Sequence, residues 1–247
     1  MALSLKDQLQ NMWIENNANV IEQAHSALEK NLEAQSIIQR TFLRMGLITF
    51  LVFAVWYLIL YLIKAQTISL VQYVPLFWIS MIGGIILIFV ISFLWQKMNY
   101  VTLASLAILF ALLQWVGLTG VLYTYSAASI INAFAGAWIL FVIMALYGYF
   151  TKSDLTKLWP ILLIWLIAVI VLSLANIFLI KSSTLDLALS VNTLIVFLWL
   201  VAWNLQVLKL VALSQDRRLE IVFWISLYLD FINIFLALLR LFGNSRE

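Results

Sequence analysis

Two patterns of apolar and polar positions divide the chain. Before residue 45, Ile21, Ala24, Leu28 and Leu32 recur at spacings of three and four, with Glu22, Glu29, Lys30 and Glu33 between them. That is the period of an amphipathic helix. From Met45 the alternation disappears. Residues 45–63, 74–95, 101–123, 129–150, 159–180, 187–208 and 221–242 form apolar stretches of 19 to 23 residues. About 20 such residues carry a helix across the hydrocarbon core of a bilayer. A barrel strand would be about half as long and would alternate apolar with polar. Backbone groups in lipid must also bond within their own segment, which selects helix. The pattern therefore predicts an all-α, polytopic membrane protein. A polar, amphipathic segment over 1–44 precedes a bundle of seven transmembrane helices over 45–243.

The connections between the apolar stretches are short, so successive helices should run antiparallel. Tyr73, Trp78, Trp95, Tyr100, Tyr123, Tyr125, Tyr147, Tyr149 and Trp159 cluster near the stretch ends. Aromatic rings of this kind anchor helices at headgroup level. Charge sets the orientation. Arg40, Arg44, Lys97, Lys152, Lys157, Lys209, Arg217 and Arg218 fall on the side of the N-terminal segment, against Lys64, Lys181 and Arg246 on the other. The excess of basic residues marks the cytoplasmic face, so the N-terminus is expected there. Seven crossings place the C-terminus opposite; a last helix that enters and returns on one face would bring both ends together.

Composition sharpens this picture by exclusion. Only 10% of residues are charged and 65% are hydrophobic. A water-soluble domain carries about a quarter charged residues, so lipid must cover much of this surface. No basic patch with interleaved aromatics supports nucleic-acid binding. Cysteine is absent, and His25 is the sole histidine. Thiolate and two-histidine metal sites are thereby excluded, as is a serine–histidine pair within the bundle. There is no glycine-rich phosphate loop. No enzymatic chemistry and no resident cofactor are expected. The N-terminal segment also lacks the layout of a cleaved signal peptide.

Within the apolar stretches the polar residues are few. The first six contain no Asp, Glu, Lys or Arg; the seventh holds Asp230 and, near its end, Arg240. An ionisable group deep in a span costs a few kcal/mol and marks a functional site by default. Asp230 is thus the strongest candidate. The bland alternative is a hydrogen-bonded acid that ties helices together. Arg240 lies about 15 Å further along the helix and about 80° around it, too far for a direct pair. Asn233 is better placed, one turn from Asp230, and Arg240 follows on its face or snorkels to the interface. Gln114, Asn132, Asn176, Asn192 and Asn204 read as interhelical hydrogen-bonding groups.

At Asp230 the sequence becomes recognisable. Ser226-Leu-Tyr-Leu-Asp-Phe-Ile-Asn-Ile-Phe-Leu-Ala-Leu-Leu-Arg-Leu-Phe-Gly243 resembles the last helix of the Bax inhibitor family, the transmembrane Bax-inhibitor-motif proteins. Ser129-Ile-Ile-Asn-Ala-Phe-Ala-Gly136, the run from Ala145 to Leu155, and Leu174-Ala-Asn-Ile-Phe-Leu179 match in the same order. The resemblance covers roughly residues 100–243 and points to a bacterial member. It implies a seven-helix bundle whose last helix is central, surrounded by the other six. It also implies calcium leak across a membrane, stress or cell-death regulation, or modulation of a membrane-bound protease.

In that family the leak is tied to a pair of acids on the sixth and seventh helices. Asp230 matches the second. The usual Ala-Tyr-Asp-x-Gln of the sixth helix stands here as Ala202-Trp-Asn-Leu-Gln206, so Asn204 replaces the first acid. An amide does not titrate but can donate to a carboxylate. The resemblance thus implies an ion pathway at Asp230, Asn204, Asn233 and Arg240, with Asp230 the one group to meet a metal ion and calcium the transported species. Control of the site by a shared proton is weakened. The other reading is a non-transporting regulator that binds a second membrane protein. The expected location is a bacterial plasma (inner) membrane, with the lipid bilayer as the first partner.

Overall fold

The computed structural model describes residues 5–65, 70–212 and 216–244. Among them are seven long helices and no strand: α1 (Leu5–Lys64), α2 (Leu70–Leu94), α3 (Tyr100–Tyr123), α4 (Ala127–Phe150), α5 (Trp159–Ala175), α6 (Ser183–Val211) and α7 (Arg218–Phe242). One-turn 3-10 segments at Trp95–Lys97 and Leu155–Leu158 precede α3 and α5, and a π turn at Asn176–Ile180 extends α5. Six helices, α2 to α7, are long and apolar enough to cross a membrane among the described residues. The apolar stretch 45–63 is the distal part of α1, where many side chains lie outside the described residues, as does Arg246. Phe93, Phe150, Ile164 and Leu179 stand well exposed on the outer surface. A continuous apolar exterior of this kind belongs in lipid. The molecule is a helical membrane bundle.

The helices end where side chains take over the unpaired backbone groups. The hydroxyl of Ser126 accepts from the Ser129 N–H at the start of α4, and Ser182 does the same for Leu185 at the start of α6. Such caps are worth about 1 kcal/mol each. Asn176 has a local role rather than an interhelical one. Its amide donates to the Ser182 carbonyl and its carbonyl accepts the Ser182 N–H, which closes the turn between α5 and α6. Asn192 does bridge helices, accepting from the Trp165 indole at 3.3 Å.

α7 occupies the centre. Of its most apolar eighteen-residue stretch, 72% is buried in the bundle, against 17 to 39% for the other five spanning helices. Its immediate neighbours are α6, α4, α1 and α3; α2 joins mainly through α3, and α5 through α6. Among the described residues the main contacts of α7 are thus with four helices, and α2 and α5 stand further out. The reason lies in the sequence of α2 and α5, which carry apolar residues on nearly every face. Such helices are at home in lipid and need only one protein neighbour.

Helices in lipid gain nothing from water exclusion on pairing, so close packing has to hold them. Gly148 provides the closest approach. A Cβ built there would lie 2.1 Å from the Ala202 carbonyl oxygen, so any side chain would push α4 and α6 apart. This crossing sits two residues from Asn204.

α1 runs continuously past residue 44, where the sequence pattern changes. One helix of 60 residues joins the amphipathic and apolar parts, about 90 Å end to end. Its contact with the bundle begins at Ala34. Ala34, Ile37, Thr41, Met45 and Thr49 are buried at spacings of three and four, one face of a helix. Val20, Ile21, Leu28 and Leu32 remain exposed.

Candidate functional site

The site is built from α6 and α7. Asp230 is 4% exposed and Asn204 is 6% exposed. The Asn204 amide nitrogen donates to a carboxylate oxygen of Asp230 at 2.7 Å. One predicted pairing is thus present: the amide that stands in the acid's place on the sixth helix bonds the acid of the seventh. The next residue, Phe231, is clasped on the α4 side. The rings of Phe134, Trp138 and Phe141 lie 5.4, 5.0 and 6.0 Å from it, centroid to centroid. Edge-to-face aromatic pairs add about 0.5–1.5 kcal/mol each beyond the area they bury. α7 is therefore gripped by packing on one flank and by a polar bond on another.

The other two candidates stay apart from this pair. The Asn233 amide donates to the Leu229 carbonyl of its own helix at 2.8 Å. Arg240 is exposed near the end of α7.

A second polar centre went unpredicted. Glu220, in the first turn of α7, is fully buried. The Arg40 Nε lies 2.8 Å from one of its oxygens, and Arg44 Nη1 lies 2.7 Å from the other. Arg40 makes a well-formed hydrogen bond. Arg44 Nη1 and Glu220 Oε2 meet as charges, without hydrogen-bond geometry. Arg44 also lies over the Tyr100 ring, 5.8 Å from its centroid, with Arg217 at 5.5 Å. This cluster joins α1, α3 and α7 at one end of the bundle. The signal for it was available in the chain. Arg40 and Arg44 are four residues apart, hence on one helical face, and Glu220 opens the helix that carries Asp230. Counting the arginines for orientation concealed their second use.

The same end carries two further clasps, one part-buried and one exposed. Arg218 donates to both oxygens of Asp216 and also to the Gln96 and Met98 carbonyls. These guanidinium hydrogen bonds hold the Asp216 carboxyl below the usual carboxylate range, against the opposing effect of its partial burial. Asp154 is likewise held low by hydrogen bonds from the hydroxyl and N–H of Thr156.

Fold and site together define a multi-pass helical membrane protein with a buried acid on its central helix. The chain belongs to the family described as inhibitor of apoptosis-promoting Bax1, the Bax inhibitor family, whose profile matches residues 34–247. The match begins where α1 first meets the bundle. The chain is similar to the inner membrane protein YbhL of Escherichia coli, with 37% identity over 172 residues, 67% of this chain and 73% of the relative. A Rickettsia prowazekii protein described only as uncharacterised is 38% identical over 169 residues, 66% of this chain and 70% of the relative. A Streptococcus pyogenes membrane protein is 31% identical over 194 residues, 76% and 84% of the two chains.

Proposed function

We propose that the protein is a leak-type cation pathway, with calcium as the transported ion and Asp230 as the group the ion meets. The carrying observation is the Asn204–Asp230 hydrogen bond, buried on the central helix. In apolar surroundings a carboxylate is stabilised by a cation that stands beside it. One carboxylate and one amide are too few oxygen ligands for tight calcium binding, so the ion is cargo. A cavity of about 450 Å³ at the opposite end from Glu220, lined by Ser129, Asn132, Gly136, Leu238 and Asn244, supports an approach from that side. Leu238 is about 12 Å from Asp230 along α7. Because an amide does not titrate, the site exchanges one proton rather than the shared proton of an acid pair. The N-terminus is cytoplasmic in this reading, the membrane is a bacterial inner membrane, and Asn233 and Arg240 belong to the wall of the pathway.

Calcium flux into proteoliposomes tests the proposal. Wild type should conduct, and Asp230→Ala should lose flux by tenfold or more. Asn204→Asp should add a second pH-dependent step. Equal flux in wild type and Asp230→Ala removes the site; absence of flux in both removes the channel.

A second reading has its own observation. Val20, Ile21, Leu28 and Leu32 of α1 are 56 to 58% exposed, a stripe that suits a partner protein. Here the protein modulates another membrane protein. Removing residues 1–30 separates the readings, since it spares Arg40 and Arg44. Loss of partner capture with flux intact favours the stripe; retained capture counts against it.

A further inference from the structure

We propose that the slot between α1 and α4, with the polar cleft at its mouth, binds an anionic phospholipid. The slot has a volume of about 380 Å³. Ile38 and Phe42 of α1 form one wall. Trp138, Val142, Leu146 and Phe150 form the other. These four are spaced by four residues and make a single ridge of α4. From Trp138 to Phe150 the ridge runs about 18 Å. One leaflet of a bilayer core is about 15 Å deep, half of the ~30 Å total. The slot therefore has the length of a fatty chain inserted from one face of the membrane.

The end near Phe150 is polar. Gln35 and Gln39 line the slot from α1, and Tyr149 lines both the slot and a second cleft of about 260 Å³. Thr151, Lys152, Ser153, Gln206 and Lys209 line that cleft. The Lys209 ammonium donates to the Tyr149 carbonyl at 3.2 Å and lies 4.9 Å from the centre of its ring. Asp154 is in the same cleft, but its carboxylate accepts from Thr156 and lies 3.7 Å from Lys157. Two lysines thus meet the mouth of an apolar slot at headgroup level. An amphiphile with one anionic head and a fatty chain matches both parts. A zwitterionic lipid matches only the slot. Each lysine near an anionic surface is worth about 1 kcal/mol, or about fivefold.

Native mass spectrometry of the full chain, titrated with phosphatidylglycerol or phosphatidylcholine of the same acyl chains, tests this. Wild type should retain phosphatidylglycerol at least about fivefold better. Lys152→Gln with Lys209→Gln should abolish that preference, and Lys181→Gln, at the other end of the bundle, should leave it intact. Val142→Trp or Leu146→Trp fills the slot from a half-exposed position and should lower occupancy by both lipids, with thermal melts confirming the fold. Excess glycerol 3-phosphate should displace neither. The proposal is overturned by equal retention of the two lipids, by a preference that survives the double lysine change or is lost in Lys181→Gln, by unchanged occupancy in both folded tryptophan variants, or by displacement with the soluble phosphate.

Discussion

α7 carries two buried acids ten residues apart, and they are treated in opposite ways. Glu220 sits at the helix entrance between two guanidinium groups. Asp230 lies about 15 Å deeper and receives a hydrogen bond from a neutral amide. Both acids are out of contact with water. The first has its charge matched in excess, so it is a fastening. The second has one oxygen satisfied by an uncharged amide and no cation beside it, which leaves it open to one that arrives. Burial alone does not make an acid functional; the chemistry of its partner decides.

The largest effect that tests this contrast is at the fastening. Glu220→Gln leaves Arg40 and Arg44 without an acid. Removing one member of a buried ion pair costs about 3–5 kcal/mol. Both arginines keep partial contact with the surroundings, which favours the low end, about 3 kcal/mol. Thermal unfolding in detergent should show a clear fall in Tm. An unchanged Tm would make the cluster ornamental and dissolve the contrast.

Next comes the crossing beside Asn204. Gly148→Val forces α6 away from α4, at an overpacking cost of about 1–3 kcal/mol. Stability and flux should both fall, because Asn204 moves while Glu220 stays paired. A change confined to stability would detach the crossing from the site.

Asp230→Asn should separate the two acids most sharply. The amide has nearly the same volume, and its oxygen can still accept the hydrogen bond from Asn204. The melt should shift by less than about 1 kcal/mol equivalent, while flux falls at least tenfold, about 1.4 kcal/mol. A large loss of stability with flux retained would make Asp230 a second fastening.

The smallest effect concerns the part-buried clasp between Asp216 and Arg218. The Asp216 carboxyl is held below its usual value by Arg218. Its contribution is therefore present above the unfolded carboxylate value and is lost as pH falls through the lower, folded value. Wild type and Asp216→Asn should differ slightly in Tm at neutral pH and converge well below pH 4. A difference that persists in strong acid would assign the effect to something other than the charge. With both side chains only part-exposed, this clasp is still partly screened by solvent and contributes less than the buried one.

The apolar stretches announced the helices because the membrane imposes a strict length and demands internal backbone bonding. Asp230 announced itself for the same reason: a charge is conspicuous where charges are expensive. The partnership with Asn204 was legible through the Ala202–Gln206 resemblance, and the structure adds its direction and distance. Glu220 escaped because it lies just outside the apolar stretch, where a glutamate is ordinary by composition and only its neighbours reveal it as buried. Asn176 misled in the opposite sense, as a polar residue in a span that turned out to close a turn.

The chain by itself thus determined a polytopic helical protein and the acid on its last helix. Those follow from local period and composition, which need no knowledge of what packs where. Tertiary structure decided that α6, α4, α1 and α3 make the main contacts with α7, that α1 runs unbroken from its amphipathic part into the bundle, and that Arg40, 180 residues away in sequence, meets Glu220 together with Arg44. Contacts of that range depend on how helices dock. Docking in lipid is set by close-fitting surfaces such as Gly148 against Ala202, which no single-residue pattern records.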